Sequence, residues 1–100
     1  MSSWPRKAGS KESCYLMPIK FSDQAWEDYL FWQAKDRSTL KRINTLLRDI
    51  QRSPFEGIGK PEPLKHYLAG FWSRRIDEEH RLVYAAQDDT ILVAQCRYHY

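Results

Sequence analysis

The sequence is poor in cysteine and contains no long apolar run, and each shortage excludes a class of protein. Its two cysteines, Cys14 and Cys96, can form at most one disulfide, so we expect reduced thiols in an intracellular protein. No stretch approaches the roughly 20 apolar residues that a membrane-spanning helix requires. Residues 1–11 include no continuous apolar core, which argues against a signal peptide. We therefore expect a cytoplasmic protein without membrane contact.

Motifs for metals and nucleotides are also missing. The three histidines, His66, His80 and His99, are far apart, and no pair of His or Cys has the spacing of metal ligands. The chain has no Walker loop, no Rossmann glycine pattern and no Gly-x-Ser-x-Gly elbow. We expect neither a metal nor an organic cofactor.

The chain does contain enough for one small domain with a mild positive charge. Its 100 residues are 42% apolar, and 14% are aromatic, which suffices for a modest core. Lysine and arginine number 16 against 13 aspartates and glutamates, a net charge of +3. This excess suits a phosphate-rich partner through long-range attraction, although many unrelated proteins carry as much.

The N-terminal residues differ from the rest in pattern. Residues 1–16 are polar, small and aperiodic, which predicts a disordered tail. A single domain is predicted at residues 17–100, and its first element is a short strand at residues 16–21.

Two amphipathic helices are predicted next. Ser22 stands where a helix N-cap belongs, and apolar residues at helical spacing predict a helix over residues 23–35. A second helix is predicted at residues 37–52, where an apolar stripe recurs and the basic residues on the other faces are interpreted as solvated. These helices would form an antiparallel hairpin.

The second half of the chain changes to a period-two pattern. Residues 53–63 hold three prolines and two glycines, which predicts a loop. Strands are predicted at residues 71–76, 81–86 and 90–98, joined as an antiparallel meander. A strand, two helices and then a run of strands predicts an α+β fold, with the helices on one face of an antiparallel sheet.

The last predicted strand divides into two faces. The side expected to pack on the helices contains Leu92, Ala94, Cys96 and Tyr98. The other side contains Gln95, Arg97 and His99. A three-residue loop at residues 87–89 would pair Ala86 with Thr90 and set Arg81 opposite Gln95, on the polar face. A longer loop would turn Arg81 into the core, which is costly for an unpaired charge.

The chemistry-bearing residues left by these exclusions are few, but they suit RNA cleavage through the 2′-hydroxyl. That reaction needs a base, an acid and a cation at the phosphate. Glutamate is ionised and histidine partly protonated near neutral pH, and an arginine fork fits phosphate better than lysine does. Glu62, Arg81, His99 and Tyr100 are the residues available for these roles.

Each of these residues also has an ordinary interpretation. Glu62 alone reads as a solvated turn carboxylate, although its two proline neighbours would hold it rigidly. Arg81 alone reads as a strand-edge charge that discourages aggregation. His99 and Tyr100 alone read as a frayed chain end. Residue type and position therefore leave the question open.

A resemblance to a known family decides between these readings. Residues 17–100 closely resemble the YoeB toxins of the RelE/ParE toxin superfamily. The resembling segments are Trp26-Glu27-Asp28-Tyr29, Ser53-Pro54-Phe55-Glu56-Gly57, Gly59-Lys60-Pro61-Glu62-Pro63-Leu64-Lys65, Gly70-Phe71-Trp72-Ser73-Arg74-Arg75-Ile76, Glu79-His80-Arg81-Leu82-Val83-Tyr84 and Cys96-Arg97-Tyr98-His99-Tyr100.

The resemblance implies a microbial-RNase-like α+β fold and a bacterial type II toxin–antitoxin system. It implies an endoribonuclease that enters the ribosomal A site, cuts mRNA there without a metal and stops translation. Carried over by position, Glu62 is the general base, His99 the general acid and Arg81 the group that stabilises the phosphorane-like transition state. Tyr100 would orient the substrate or the acid.

The resemblance also implies weaker assignments and partners. Lys65 and Arg75 match positions that contact phosphate in the family, although the sequence leaves open which of Arg74 and Arg75 faces the RNA. The partners implied are a YefM-like antitoxin, the ribosome with its mRNA, and a second copy of the chain in a homodimer.

Two rival functions fit the same fold. One is a ParE-like toxin that inhibits gyrase, and the other is a ribosome-binding inhibitor that blocks the A site without cutting. The combination of Glu62, Arg81 and His99 favours the nuclease over both.

Overall fold

The computed structural model describes residues 16–98. The predicted tail up to residue 15, and the predicted site residues His99 and Tyr100, lie outside these described residues. The elements in chain order are β1 (Ile19–Phe21), α1 (Asp23–Lys35), α2 (Arg37–Arg52), β2 (Glu62–Pro63), β3 (Trp72–Arg75), β4 (Arg81–Gln87) and β5 (Thr90–Gln95), with a short 3₁₀ helix at His66–Leu68 before β3.

The strands form one sheet in the order β1-β5-β4-β3-β2, and both helices pack on one of its faces. The predicted α+β architecture is confirmed. The pairs from β2 to β5 are antiparallel, but β1 runs parallel to β5 at the sheet edge. The sheet is therefore mixed, because the helical hairpin carries the chain across its face after β1.

Both helices have the bounds that the sequence predicts, and their caps explain why. The Ser22 hydroxyl accepts the N–H of Ala25 at 3.0 Å and donates to the Ala94 carbonyl at 2.8 Å, so this cap also ties α1 to β5. Asp36 alone separates the two helices, and its carboxylate caps α2 by accepting the N–H groups of Ser38 and Thr39. Hydrogen bonds from Thr39 and Ser38 lower the pKa of Asp36.

The core lies between the helices and the sheet. Its members share near-complete burial and apolar character. They include Ala25 and Trp32 of α1, Ile43, Leu46, Leu47 and Ile50 of α2, and Leu82, Tyr84, Ile91 and Val93 of the sheet. Full burial of each large aliphatic side chain contributes about 1.5–3 kcal/mol to folding. Among residues 16–98, no helix is both long and apolar enough to cross a membrane.

The β4–β5 hairpin corrects the predicted register. Its turn has two residues, Asp88 and Asp89, with φ of 51° and 59°, and Gln87 pairs with Thr90. The predicted three-residue loop pairing Ala86 with Thr90 is therefore wrong. A tight turn with both central residues left-handed matches the twist of the two strands, and aspartate tolerates that conformation.

A bulge then changes which residues of β5 face the core. Tyr84 pairs with Val93 but Val83 pairs with Gln95, so Ala94 is the extra residue. Before the bulge Ile91 and Val93 are fully buried among the core residues. The predicted placement of Leu92 and Ala94 on the helix side is wrong, whereas Cys96, beyond the bulge, is buried as predicted.

The end of the chain also departs from the predicted alternation. β5 stops at Gln95, so the strict in–out pattern does not extend to residues 96–98. Tyr98 is 53% exposed and is not packed under the helices as predicted. Arg97 was predicted on the polar face, but its guanidinium carbon lies 3.5 Å from the centre of the Phe31 ring of α1.

A buried arginine holds the loop between α2 and β2. Arg74 is fully buried on the helix side of β3, where Nη1 and Nη2 donate to the carbonyls of Ser53, Glu56 and Ile58 at 2.6–3.1 Å. Its Nη1 also donates to Asp49 of α2, and its Nε donates to the Tyr84 hydroxyl. These hydrogen bonds at three carbonyls fix the position of the loop relative to β3.

Gly57 makes that arrangement possible. Its φ is +130°, and a Cβ built there would lie 2.0 Å from Asp49 Oδ2 and 3.2 Å from Arg74 Nη1. Both the backbone conformation and the close approach to the ion pair therefore require glycine.

Candidate active site

The helix-free face of the sheet brings three of the predicted site residues together. Glu62 pairs with Ser73, and Arg75, two residues further along β3, pairs with Arg81. Because side chains alternate along strands, Glu62, Arg75 and Arg81 all point to the face opposite Arg74. The two adjacent arginines differ in burial, since Arg74 is fully buried and Arg75 is exposed.

Glu62 lies on a strand, and this corrects the prediction of a loop through residues 53–63. The strand has two residues, too few to produce a period-two pattern in the sequence. Its proline neighbours restrict the backbone, and pairing with β3 restricts it further. The Glu62 side chain is exposed, so a rigid backbone presents a solvent-accessible carboxylate.

The sheet geometry sets the distance between the carboxylate and the guanidinium. Strands lie about 4.8 Å apart and residues rise about 3.3 Å along a strand, so the Cα atoms of Glu62 and Arg81 are separated by roughly 12 Å. Both side chains are long and point to the same face. Their ends can therefore reach opposite sides of one phosphodiester lying across β3.

Arg81 is held by the turn that precedes it. Its Nη1 donates to the carbonyls of Asp77 and His80 at 2.8 and 3.2 Å. The Asp77 carboxylate closes the same turn by accepting the N–H groups of Glu79 and His80, both at 2.8 Å. Within residues 16–98 the Nε and Nη2 atoms of Arg81 make no hydrogen bond, which leaves donors for a phosphate oxygen.

A groove of about 350 Å³ adjoins Glu62. Lys65 lines this groove together with Glu62, as its predicted phosphate contact requires. Tyr67 also lines it and is 93% exposed, a large aromatic ring that nothing in residues 16–98 covers. No sequence pattern singled out Tyr67, because it lies in an irregular segment.

The segment that leads to the predicted acid is tied to α1. The Cys96 N–H donates to Asp28 Oδ2 at 3.1 Å, and the Trp32 indole donates to the Cys96 carbonyl at 2.9 Å. Asp28 is 3% exposed, and its other oxygen accepts a hydrogen bond from Gln24 at 2.8 Å. Burial, with a smaller effect of the Asp28 charge, raises the pKa of the Cys96 thiol to about 12.

That segment also meets Arg81. The Arg81 N–H donates to the Tyr98 carbonyl at 3.0 Å, so the residue immediately before His99 is bonded to the residue predicted to stabilise the transition state. Sequence patterns did not indicate the roles of Asp28 and Trp32.

Among residues 16–98, no group of three or more His, Cys, Asp or Glu side chains is arranged to hold a metal ion. The chemical groups of this face are a carboxylate, two guanidiniums and a lysine ammonium.

Comparison with known proteins identifies the family. Residues 21–100 match the family model described as the YoeB-like toxin of bacterial type II toxin–antitoxin systems. The chain belongs to the YoeB toxin family. It is also 62% identical, over 84 residues, to the Escherichia coli K12 protein Toxin YoeB, covering 84% of this chain and all of that protein. As a YoeB-family member, it is the toxin of a type II toxin–antitoxin system.

Solved YoeB structures have the same fold. The YoeB/ParE toxin from Agrobacterium tumefaciens is 48% identical with a TM-score of 0.82, covering 84% of this chain and all of that one. A heterotetrameric YoeB-YefM toxin–antitoxin complex from Staphylococcus aureus contains a chain that is 53% identical with a TM-score of 0.78. That match covers 84% of this chain and 98% of the other. The chain of a YoeB dimer from the same organism is 53% identical with a TM-score of 0.79, again covering 84% of this chain and 98% of that one.

The match to the YoeB family includes every predicted site position. Glu62, Lys65, Arg75 and Arg81 lie on or beside the helix-free face, whereas His99 and Tyr100 fall within the matched range but outside the described residues. The predicted domain boundary at residue 17 stays a prediction.

Proposed function

We propose that this YoeB-family toxin is a ribosome-dependent endoribonuclease that enters the A site, cuts mRNA there and so inhibits translation. The observation that carries the proposal is the convergence of Glu62, Arg75 and Arg81 on one exposed face, across three strands. A carboxylate and two guanidiniums on one face of the sheet suit phosphoryl transfer better than they suit a flat protein contact.

The proposed reaction uses the RNA's own 2′-hydroxyl. Glu62 takes the proton from that hydroxyl, and the oxygen attacks phosphorus, forming the P–O2′ bond. Arg81, assisted by Arg75 and Lys65, stabilises the negative charge that develops on the phosphate oxygens. The P–O5′ bond breaks as His99 protonates the leaving oxygen. The products are a 2′,3′-cyclic phosphate and a free 5′-hydroxyl.

Tyr100 would orient the substrate or the imidazole in this scheme. No step needs a metal, because the guanidiniums supply the positive charge and the two titratable groups move the protons. In this scheme Glu62 accepts a proton as a carboxylate, and His99 donates one as an imidazolium.

Partners are proposed on the same basis. The Staphylococcus aureus relative is found in a complex with YefM and as a dimer, which supports a YefM-like antitoxin and a homodimer for this chain. The net charge of +3 favours approach to ribosomal RNA. Action on translating ribosomes would place the protein in the cytoplasm.

The test is to map new 5′ ends on a defined mRNA in a purified translation reaction. We expect the wild-type protein to create ends within the A-site codon, and Glu62→Gln, Arg81→Ala and His99→Ala each to cut about 10²-fold more slowly or worse. Glu27→Gln, on the exposed side of α1, is the matched control and should cut at the wild-type rate.

The alternatives give different results in the same reaction. Arrested translation without new 5′ ends would indicate a blocking inhibitor. Inhibition of purified gyrase by wild type and Glu62→Gln alike would indicate a ParE-like activity. Wild-type cutting by Glu62→Gln would remove the carboxylate from the mechanism.

A further inference from the structure

One buried histidine is not used by the proposed reaction. His80 ends the turn before Arg81 and is 9% exposed. Its ring meets the Trp32 indole edge-on, with centroids 4.8 Å apart and planes at 80°, and lies 5.6 Å from the Tyr98 ring. The imidazole therefore sits between α1 and the end of the chain.

His80 accepts a hydrogen bond from that chain end. The Tyr98 N–H donates to His80 Nδ1 at 2.7 Å, the only hydrogen bond of this imidazole nitrogen within residues 16–98. β5 has ended at Gln95, so no neighbouring strand satisfies the Tyr98 N–H. His80 Nδ1 therefore takes the place of the backbone carbonyl that a neighbouring strand would supply.

The conformation of Tyr98 depends on this bond. Its φ is +66°, in the left-handed region that non-glycine residues rarely adopt. Two hydrogen bonds bracket the residue, since its N–H is held by His80 and its carbonyl by the Arg81 N–H at 3.0 Å. A strained residue persists only where its surroundings hold it in place.

We propose that His80 is a positioning residue, whose neutral imidazole fixes the backbone at Tyr98, the residue immediately before the proposed acid His99. This inference rests on the proposed function, in which His99 is the acid. Because His99 follows Tyr98 directly, the backbone angles at Tyr98 set the direction in which the chain continues. Proton transfer needs a donor held within hydrogen-bond reach, so a loose chain end makes a poor acid.

The bond requires one particular form of the imidazole. Nδ1 can accept only when the proton is on Nε2, because the imidazolium has two donors and no acceptor. Nε2 faces the exposed Glu79 carboxylate, with Oε1 at 3.8 Å. The other charged groups at this turn are Asp77, which accepts the His80 backbone N–H, the exposed Glu78, and Arg81, which donates to the His80 carbonyl.

A purely structural role for His80 makes a different prediction. If the ring only fills space between Trp32 and Tyr98, His80→Phe should behave as the wild type and the smaller His80→Asn should be worse. If the hydrogen-bond acceptor matters, His80→Asn should stay close to the wild type and His80→Phe should be worse. The asparagine amide oxygen can occupy the place of Nδ1, whereas phenylalanine has no acceptor.

The experiment compares mRNA cleavage and Tyr98 amide exchange in wild type, His80→Phe and His80→Asn. We expect His80→Phe to lower kcat about tenfold or more with KM changed less than about twofold, since misplacing a reacting group lowers turnover. His80→Asn should recover most of kcat. By NMR, the Tyr98 amide should be protected from exchange in wild type and His80→Asn and lose protection in His80→Phe.

Each other outcome counts against the inference. Wild-type kcat in His80→Phe would overturn the positioning role while leaving the proposed nuclease intact. An unprotected Tyr98 amide in the wild type would overturn it without any variant, so the test survives if His80→Phe does not fold. If the wild type cuts no mRNA, the proposed function fails, and the amide measurement alone decides whether His80 anchors the chain end.

Discussion

Arg74 and Asp49 form an ion pair in which Nη1 and Oδ2 are 2.5 Å apart, with the arginine side chain fully buried and the aspartate 28% exposed. The next residue, Arg75, points to the opposite face of β3 and is exposed. Arg74 therefore holds the loop before β2, whereas Arg75 faces the candidate phosphate site.

Replacing Arg74 should destabilise the protein strongly. Arg74→Met leaves the Asp49 carboxylate and three loop carbonyls without their donor, and breaking a buried pair in this way costs about 3–5 kcal/mol. Arg74→Lys should recover little, because one ammonium cannot replace the planar fork. Urea denaturation measures the effect. The matched control Arg75→Met should change the unfolding free energy by less than about 0.5 kcal/mol, and equal losses would contradict the division of roles.

Replacing Arg75 or Arg81 should lower the rate of mRNA cleavage rather than the stability of the protein. Arg75→Ala should slow mRNA cutting about tenfold, and Arg81→Ala about 10²-fold, because each removes a charge from the face that binds the phosphate. Neither should lower the melting temperature appreciably. Cutting at the wild-type rate by Arg75→Ala would remove that residue from the site.

Ionisation of Asp49 should make the free energy of unfolding depend on pH in the acidic range. Burial alone would raise its pKa, but hydrogen bonds from Arg74 and the Ile58 N–H, with the Arg74 charge, outweigh it and lower the pKa. The stability this carboxylate contributes is present above the unfolded-state pKa of about 3.9 and is lost as pH falls through the lower folded-state value.

Asp49→Asn should therefore be less stable than the wild type near neutral pH and lose less stability below about pH 4. Denaturant titrations from pH 2 to 7 measure both. The control is Asp89→Asn, since this turn residue is exposed and asparagine tolerates its left-handed φ of 59°. Parallel curves for Asp49→Asn and the wild type would refute the linkage.

The N-terminal boundary can be tested by two truncations. A chain that begins at Met17 should keep its melting temperature and its cutting rate, because the predicted tail is not part of the predicted domain. Removing Met17 and Pro18 as well should lower stability, since Gln51 donates to the Met17 carbonyl at 2.7 Å and the Ile91 N–H donates to the Pro18 carbonyl at 2.8 Å. A loss of activity in the first truncation would reveal a role for residues 1–16.

A tag fused directly after Tyr100 should impair cutting more than the same tag before Met17. The first fusion crowds the proposed acid His99 and its neighbour Tyr100, whereas the second adjoins residues that are predicted to lie outside the domain. The melting temperature should barely change, since residues 96–98 keep their bonds to Asp28, Trp32 and His80. Equal cleavage rates for the two tagged proteins at matched stability would mean that residues added after Tyr100 do not disturb the proposed acid.

Local signals in the sequence were sufficient for the helices. Ser22 and Asp36 cap α1 and α2 by contacts within three residues, and apolar periodicity is a property of each helix alone. The family resemblance selected Glu62 and Arg81 by position, and the register of β2 to β4 brings them to one face. Their catalytic roles, like those of His99 and Tyr100, stay predictions.

By itself the sequence determined the order and type of the two helices and of the longer strands, because helical and strand periodicity and end caps depend on neighbours a few residues away. Tertiary structure alone decided the bulge at Ala94, the burial of Arg74 rather than Arg75, and the anchoring of the chain end on Asp28, Trp32 and His80. Those outcomes depend on partners far away in the chain. Alternation along a strand puts adjacent residues on opposite faces, but only packing against the helices and the loop after α2 determines which face becomes the interior.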